Sequence, residues 1–171
     1  WYRQRVTALE AGTSRGIVMD IPGTSFGNIA LVPAPWMKFP RGIRDITEWY
    51  ITTATRKDYV LEIFEKQCAV GLENLERLIG AVGNRVQVVI VSGTDFGTQT
   101  STFISADAYR QMWAPYHKAL CDWIHANTCW KTFFHSCGSM VTLYDEFVAA
   151  GCDIVNPVQI SAKGMDPKTL K

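Results

Sequence analysis

The chain has no run of about 18 apolar residues, the length a membrane-spanning helix requires, so no membrane span is expected. It has no excess of either charge: 17 Lys and Arg stand against 16 Asp and Glu, for a formal net charge of +1. That balance supplies no electrostatic footprint for nucleic acid and no acidic or basic tail. Cys-x-x-Cys pairs are also missing. The five cysteines, Cys68, Cys121, Cys129, Cys137 and Cys152, are odd in number, which fits free thiols in a reducing cytoplasm better than a disulfide framework. No Gly-x-Gly-x-x-Gly follows any apolar run, which argues against a dinucleotide site. Asp95-Phe96-Gly97 occurs without a preceding glycine-rich loop or a His-Arg-Asp catalytic loop, which excludes a kinase. Internal repeats and low-complexity tracts are absent as well.

What is present is a regular alternation. Four short apolar segments read as buried strands: Gly16 to Asp20, Val86 to Val91, Lys131 to His135 and Asp153 to Asn156. Continuous apolar runs of this kind predict strands covered on both faces. Between them, Asp58 to Val82 carries one stripe at helical spacing: Leu61, Phe64, Cys68, Leu72, Leu75, Ile79 and Val82. Gly83-Asn84 should stop that helix. Ser105 to Asn127 repeats the pattern, with Ser105 as N-cap and Pro115 as a break or kink. A third helix is expected over Ser139 to Ala150, and Asp166-Pro167 reads as the cap and first residue of a fourth. Strands and helices alternating at this spacing predict an α/β fold with a parallel sheet, either a (β/α) barrel or an open doubly wound sheet. The chain opens inside a helical pattern and stops at the start of another, so residues 1–171 are expected to be one incomplete domain of a longer protein.

In a parallel barrel the chemistry sits at the C-terminal strand ends. Here each strand ends in polar residues: Asp20; Gly93-Thr94-Asp95-Phe96-Gly97-Thr98-Gln99; His135-Ser136-Cys137-Gly138; and Asn156-Pro157-Val158-Gln159. His135 and Cys137, two residues apart at a strand end, offer an imidazole and a thiol on the same side, two of the ligands a zinc site takes. A third protein ligand and one open position are then needed. Cys152 lies at the wrong end of its strand, so the third ligand is expected beyond Lys171. Asp95 is the strongest acid candidate, with Gly93 and Gly97 leaving room for a ligand to approach. Its bland alternative is to accept backbone hydrogen bonds within its own turn. Gln99, Asn156 and Gln159 are candidates to hydrogen-bond a substrate, and His117 and His125 read as surface or packing residues. The Pro22–Thr47 connection holds four prolines with Trp36, Met37 and Phe39; connections this long are commonly lids or binding loops.

Asp95-Phe96-Gly97-Thr98-Gln99, the Pro115-Tyr116-His117-Lys118 helix, Phe134-His135-Ser136-Cys137-Gly138-Ser139 and Ala150 to Gln159 together resemble the uroporphyrinogen decarboxylase superfamily, from about Ile29 onward. That superfamily includes zinc-dependent corrinoid methyltransferases. The resemblance implies a (β/α)8 TIM barrel with its site at the C-terminal rim. His-x-Cys at this strand end matches the methyltransferase branch. The decarboxylases' lysine- and glycine-containing turn is absent here, as is their arginine-rich motif. The implied protein is a cytoplasmic methyltransferase with zinc on His135 and Cys137. It would move a methyl group between a corrinoid on a partner protein and a small molecule, with Asp95 and Gln99 orienting the substrate and a homo-oligomer possible. The alternatives are tetrapyrrole decarboxylation centred on Asp95, and a corrinoid- or porphyrin-binding scaffold without chemistry.

Overall fold

The computed structural model describes residues 1–171. Its chain order is α1 (Tyr2–Gly12), β1 (Val18–Asp20), α2 (Ile46–Thr55), α3 (Lys57–Val82), β2 (Val88–Ser92), α4 (Ala106–Met112), α5 (Ala114–Asn127), β3 (Lys131–His135), α6 (Tyr144–Ala149) and β4 (Ile154–Asn156). The strands form one four-stranded sheet in the order β1-β2-β3-β4, and every neighbouring pair is parallel. Each crossover runs through helix, as parallel pairing demands. No helix is long and apolar enough to cross a membrane. Six helices and a parallel sheet make a mixed α/β fold, and the sheet within this chain is open at β1 and β4.

The helices end where local chemistry ends them. Asp45 caps α2 by accepting the Glu48 N–H at 2.7 Å, and Ser105 caps α4 by accepting the Ala108 N–H at 3.1 Å. The expected Ser105–Asn127 helix is two helices, broken at Trp113 so that Pro115 falls in the first turn of α5, where its missing N–H costs nothing. The Ser139–Ala150 helix is shorter than expected: a 3₁₀ turn at Val141–Leu143 leads into α6. Asp166-Pro167 starts no helix. Asp166 closes an isolated turn by accepting the Lys168 and Thr169 N–H groups.

Burial alternates along the strands instead of covering both faces. Met19, Val89, Thr132 and Phe134 are buried, on the face that α5 covers and where Phe134 meets Phe147 of α6. On the opposite face Val18 is exposed, and Val88, Ile90, Phe133 and Ile154 are half-buried. The register aligns Ile90 with Phe133 and Phe133 with Ile154, so this second face is a continuous apolar strip. It leads at its C-terminal end to His135 and Asn156, which are register partners.

Beneath the strand ends lies an aromatic cluster. Phe96 meets Tyr109 and Trp113 edge-on at centroid distances of 5.5 and 5.4 Å, favourable geometry for ring quadrupoles. Phe96 is 1% exposed. Its burial anchors the turn after β2, and with it the adjoining Asp95.

Candidate metal centre

Three chemically active side chains meet above the ends of β2 and β3. One donor atom each from Asp95, His135 and Cys137 can be chosen so that all lie within 4.8 Å of one another. His135 Nε2 is 3.6 Å from Cys137 Sγ and 3.6 Å from Asp95 Oδ1. All three side chains are half-buried, within reach of solvent but held by backbone.

The holding is specific. His135 ends β3, and its Nδ1 lies 2.9 Å from Asn156 Oδ1 on the neighbouring strand. An imidazole that donates from Nδ1 leaves Nε2 as a lone-pair donor facing the other two groups. Ser136, 1% exposed, turns inward: its Oγ accepts the Phe96 N–H at 2.8 Å and donates to Met140 Sδ. Inward pointing of 136 puts 135 and 137 outward together. The Cys137 N–H donates to Asp95 Oδ1 at 2.7 Å, so the carboxylate is tied to the next strand end and not to its own turn. Tyr50 donates its hydroxyl to the Asp95 carbonyl at 3.0 Å. Burial, and then the Asp95 charge, push the Tyr50 hydroxyl far above its ordinary range.

Gly97 and Gly138 set the spacing. A Cβ on Gly97 would stand 2.5 Å from the Cys137 carbonyl oxygen, and one on Gly138 would stand 2.4 Å from the Gly97 carbonyl carbon. Gly138 also has φ +94°, a conformation glycine alone takes freely. Gly97 therefore serves backbone packing and leaves no room for a ligand, against the sequence expectation. Gly93 faces Asn28, whose Nδ2 lies 3.1 Å from the position of its missing Cβ.

The donor set fits a zinc ion. Ligand bonds of ~2.3 Å to sulfur and ~2.0–2.1 Å to nitrogen, at tetrahedral angles, put the two ligand atoms about 3.5 Å apart. The observed sulfur–nitrogen separation is 3.6 Å. Nitrogen, sulfur and oxygen together suit a borderline-soft ion. Burial, and then the neighbouring Asp95 charge, raise the Cys137 thiol above its ordinary pKa. A carboxylate beside a thiol opposes ionisation in the bare chain, and a bound cation reverses that. Asp95 offers a third candidate donor within this chain, beside the two that the sequence pattern singles out.

The other sequence candidates fall around this group. Asn156 contacts His135 directly. Gln159 Oε1 accepts the Gly138 N–H at 2.8 Å, fixing the turn. Gln99 is exposed, and its carbonyl accepts the Lys163 N–H at 2.9 Å. Asp20 lies outside the donor group. His117 is fully buried, with Nδ1 2.7 Å from the Tyr109 hydroxyl, and burial lowers its pKa to about 3. His125 pairs with Asp153 at 2.8 Å, next to β4's N-terminal end. Tyr50 and Ser136 were missed as supports. The signal for Ser136 was present in the strand alternation; for Tyr50 none existed, because α2 lies 45 residues from Asp95.

No protein-family model matches this chain, and no curated protein does. Among solved structures, a methyltransferase from Methanosarcina mazei has a similar fold, with a TM-score of 0.57 at 10% sequence identity. The match covers 90% of this chain and 40% of that one, so this chain spans well under half the length of the protein it resembles. At that identity the likeness is one of fold.

Proposed function

We propose that this chain is part of a (β/α)8 barrel methyltransferase of the uroporphyrinogen decarboxylase superfamily, with a zinc centre on Asp95, His135 and Cys137. The observation that carries the reading is the convergence of oxygen, nitrogen and sulfur donors within 4.8 Å at the C-terminal strand ends. The fold likeness to a methyltransferase supports it, as does the half-buried apolar face of the sheet, which the strands of a closed barrel would cover. Zinc, when bound, acts as a Lewis acid that lets a thiol ionise at neutral pH. The chain's own residues do the rest. Asn156 holds the His135 tautomer, the Cys137 backbone holds Asp95 in place, and the Asp95 carboxylate takes the acceptor's proton. The methyl group moves between a corrinoid carried by a partner protein and a small thiol-type molecule, against a wall formed by the β1–α2 connection.

Metal analysis of the purified chain tests this. About one zinc per chain is expected, with cobalt substitution giving a sulfur-to-metal charge-transfer band. Cys137→Ser should abolish the band, and Asp95→Asn should lower zinc affinity. Full metal content in Cys137→Ser would overturn the reading. Turnover of uroporphyrinogen in the presence of a chelator would favour decarboxylation instead.

A further inference from the structure

The connection between β1 and α2 encloses a feature that the metal centre leaves unused. A cavity of about 220 Å³ lies between that connection and helices α2 and α3. Its lining contains two arginines, Arg41 and Arg44, and no aspartate or glutamate. Neither guanidinium belongs to any ion pair in the chain. An arginine pair lining a pocket without a counter-charge makes a positive field there.

The second observation is independent. Five buried side-chain polar atoms in the chain have no hydrogen-bond partner, and three of them belong to residues lining this cavity: Arg44 Nε, Trp49 Nε1 and Gln67 Oε1. Buried polar groups are ordinarily paired, so three orphans on residues of one cavity call for a missing partner. They are not free to turn elsewhere. Trp49 is 6% exposed, and its ring sits so close over Gly27 that a Cβ there would come within 2.1 Å of it. Arg44 is pinned by the bond from Nη1 to the Val32 carbonyl at 3.1 Å. The Gln67 amide can present either its oxygen or its NH₂ group inward.

We propose that this cavity binds the oxyanion head of a small molecule, a carboxylate or a phosphate, held by Arg44 and Trp49 with Arg41 at the entrance. A guanidinium fork matches both head groups. The indole N–H supplies a donor and no acceptor, which favours an anion over a cation. The cavity is smaller than the ~300 Å³ at which drug-sized pockets begin, so the ligand is a small one. The site goes beyond the metal-centre reading and contains none of the three donor residues. It adjoins that centre through Asn28, which lines the cavity and contacts Gly93, two residues before Asp95.

Titration of the ¹⁵N-labelled chain with inorganic phosphate and, separately, with acetate, each against chloride at equal ionic strength, tests the proposal. The expected result is a saturable shift of the Trp49 indole N–H resonance, identified by its loss in Trp49→Phe. Saturation by phosphate alone assigns a phosphate-bearing ligand, and by acetate alone a carboxylate. Arg44→Gln should weaken binding about tenfold or more, as loss of a charge-assisted pair does, and Trp49→Phe, read from the backbone N–H resonances of the lining residues Asn28 and Gly42, should weaken it several-fold. Cys137→Ser should leave it unchanged, which separates this site from the metal centre. If Arg44→Gln does not fold, Arg41→Gln, at an exposed position, decides by the same loss. No saturable shift beyond the chloride control, or equal affinity in the arginine and tryptophan variants, would overturn the proposal.

Discussion

Replacing Gly97 by alanine should damage the candidate metal centre without altering any donor. The new Cβ would stand 2.5 Å from the Cys137 carbonyl oxygen and 3.0 Å from two backbone atoms of Gly138. Comfortable carbon–oxygen contacts begin near ~3.3 Å, so the two turns must part by about 0.8 Å. No rotamer relieves the clash, because both partners are backbone. The φ of Gly97 is not in the left-handed region, so alanine is conformationally allowed and the effect is purely steric. The parting lengthens the Asp95–Cys137 hydrogen bond, now 2.7 Å, to about 3.5 Å, where it contributes little. Overpacking costs ~1–3 kcal/mol and a lost bond to a charged group ~1.5–3 kcal/mol. Asp95 is 29% exposed, which favours the lower part of that range, and about 3 kcal/mol is expected in all. Urea unfolding at pH 7.5, with and without zinc, measures both the stability and the metal uptake. Gly80→Ala is the control, since a Cβ there meets nothing within 4 Å; in the last turn of α3 it should be neutral or stabilising by up to ~1 kcal/mol. A Gly97→Ala chain with the control's stability and undiminished zinc affinity would refute the close-packing argument.

His117 makes the fold sensitive to mild acid. Its pKa in the folded chain, about 3, lies below the ordinary 6.5, so the unfolded chain takes the proton first, and stability is complete above pH 6.5 and drains below it. Moving from pH 7.5 to 5.0 should cost about 2 kcal/mol by urea unfolding; equal stability at both values would contradict its burial. Asp153 acts at lower pH. Burial alone would raise its carboxyl, but hydrogen bonds from Thr132, His125 and Lys131 outweigh that and hold it well below its usual range. Its contribution is present above about pH 4 and lost on further acidification. Asp153→Asn should cost roughly 1–2 kcal/mol at pH 7, and a neutral effect would show the network to be idle. Asn156→Leu should lower zinc affinity ~10–100-fold by freeing the His135 ring, while Asn156→Asp, which keeps the acceptor, should retain it. Equal zinc affinity in the leucine variant would show that the ring needs no such support.

Several elements were legible because their causes are local. The four strands carry apolar runs of the right length, and the long α3 helix carries its stripe at helical spacing. Asp45 and Glu48 are a capping signature three residues apart, yet the sequence reading places no helix at Ile46–Thr55, its Pro22–Thr47 connection running past the cap. The apolar run Val86–Val91 looked buried on both faces, and coverage turned out one-sided, since sequence records hydrophobicity and not what lies opposite. Pro115 marked the α4–α5 break to within two residues, because proline's effect on the backbone is covalent.

His135 and Cys137 point the same way for a reason written in the chain: extended backbone returns every second side chain to one side. Asp95 joins them for a reason that is not. It stands 42 residues from Cys137 along the chain. Only parallel pairing of β2 with β3, and two glycines in backbone contact, bring its carboxylate to the thiol. The cavity under the β1–α2 connection is decided the same way, since Arg44, Trp49 and Gln67 lie on a loop and two helices that meet only in the folded molecule. Ligand types are a property of sequence because each side chain carries its own chemistry. The distances between them belong to tertiary structure, because through-space packing alone fixes which strand ends lie side by side.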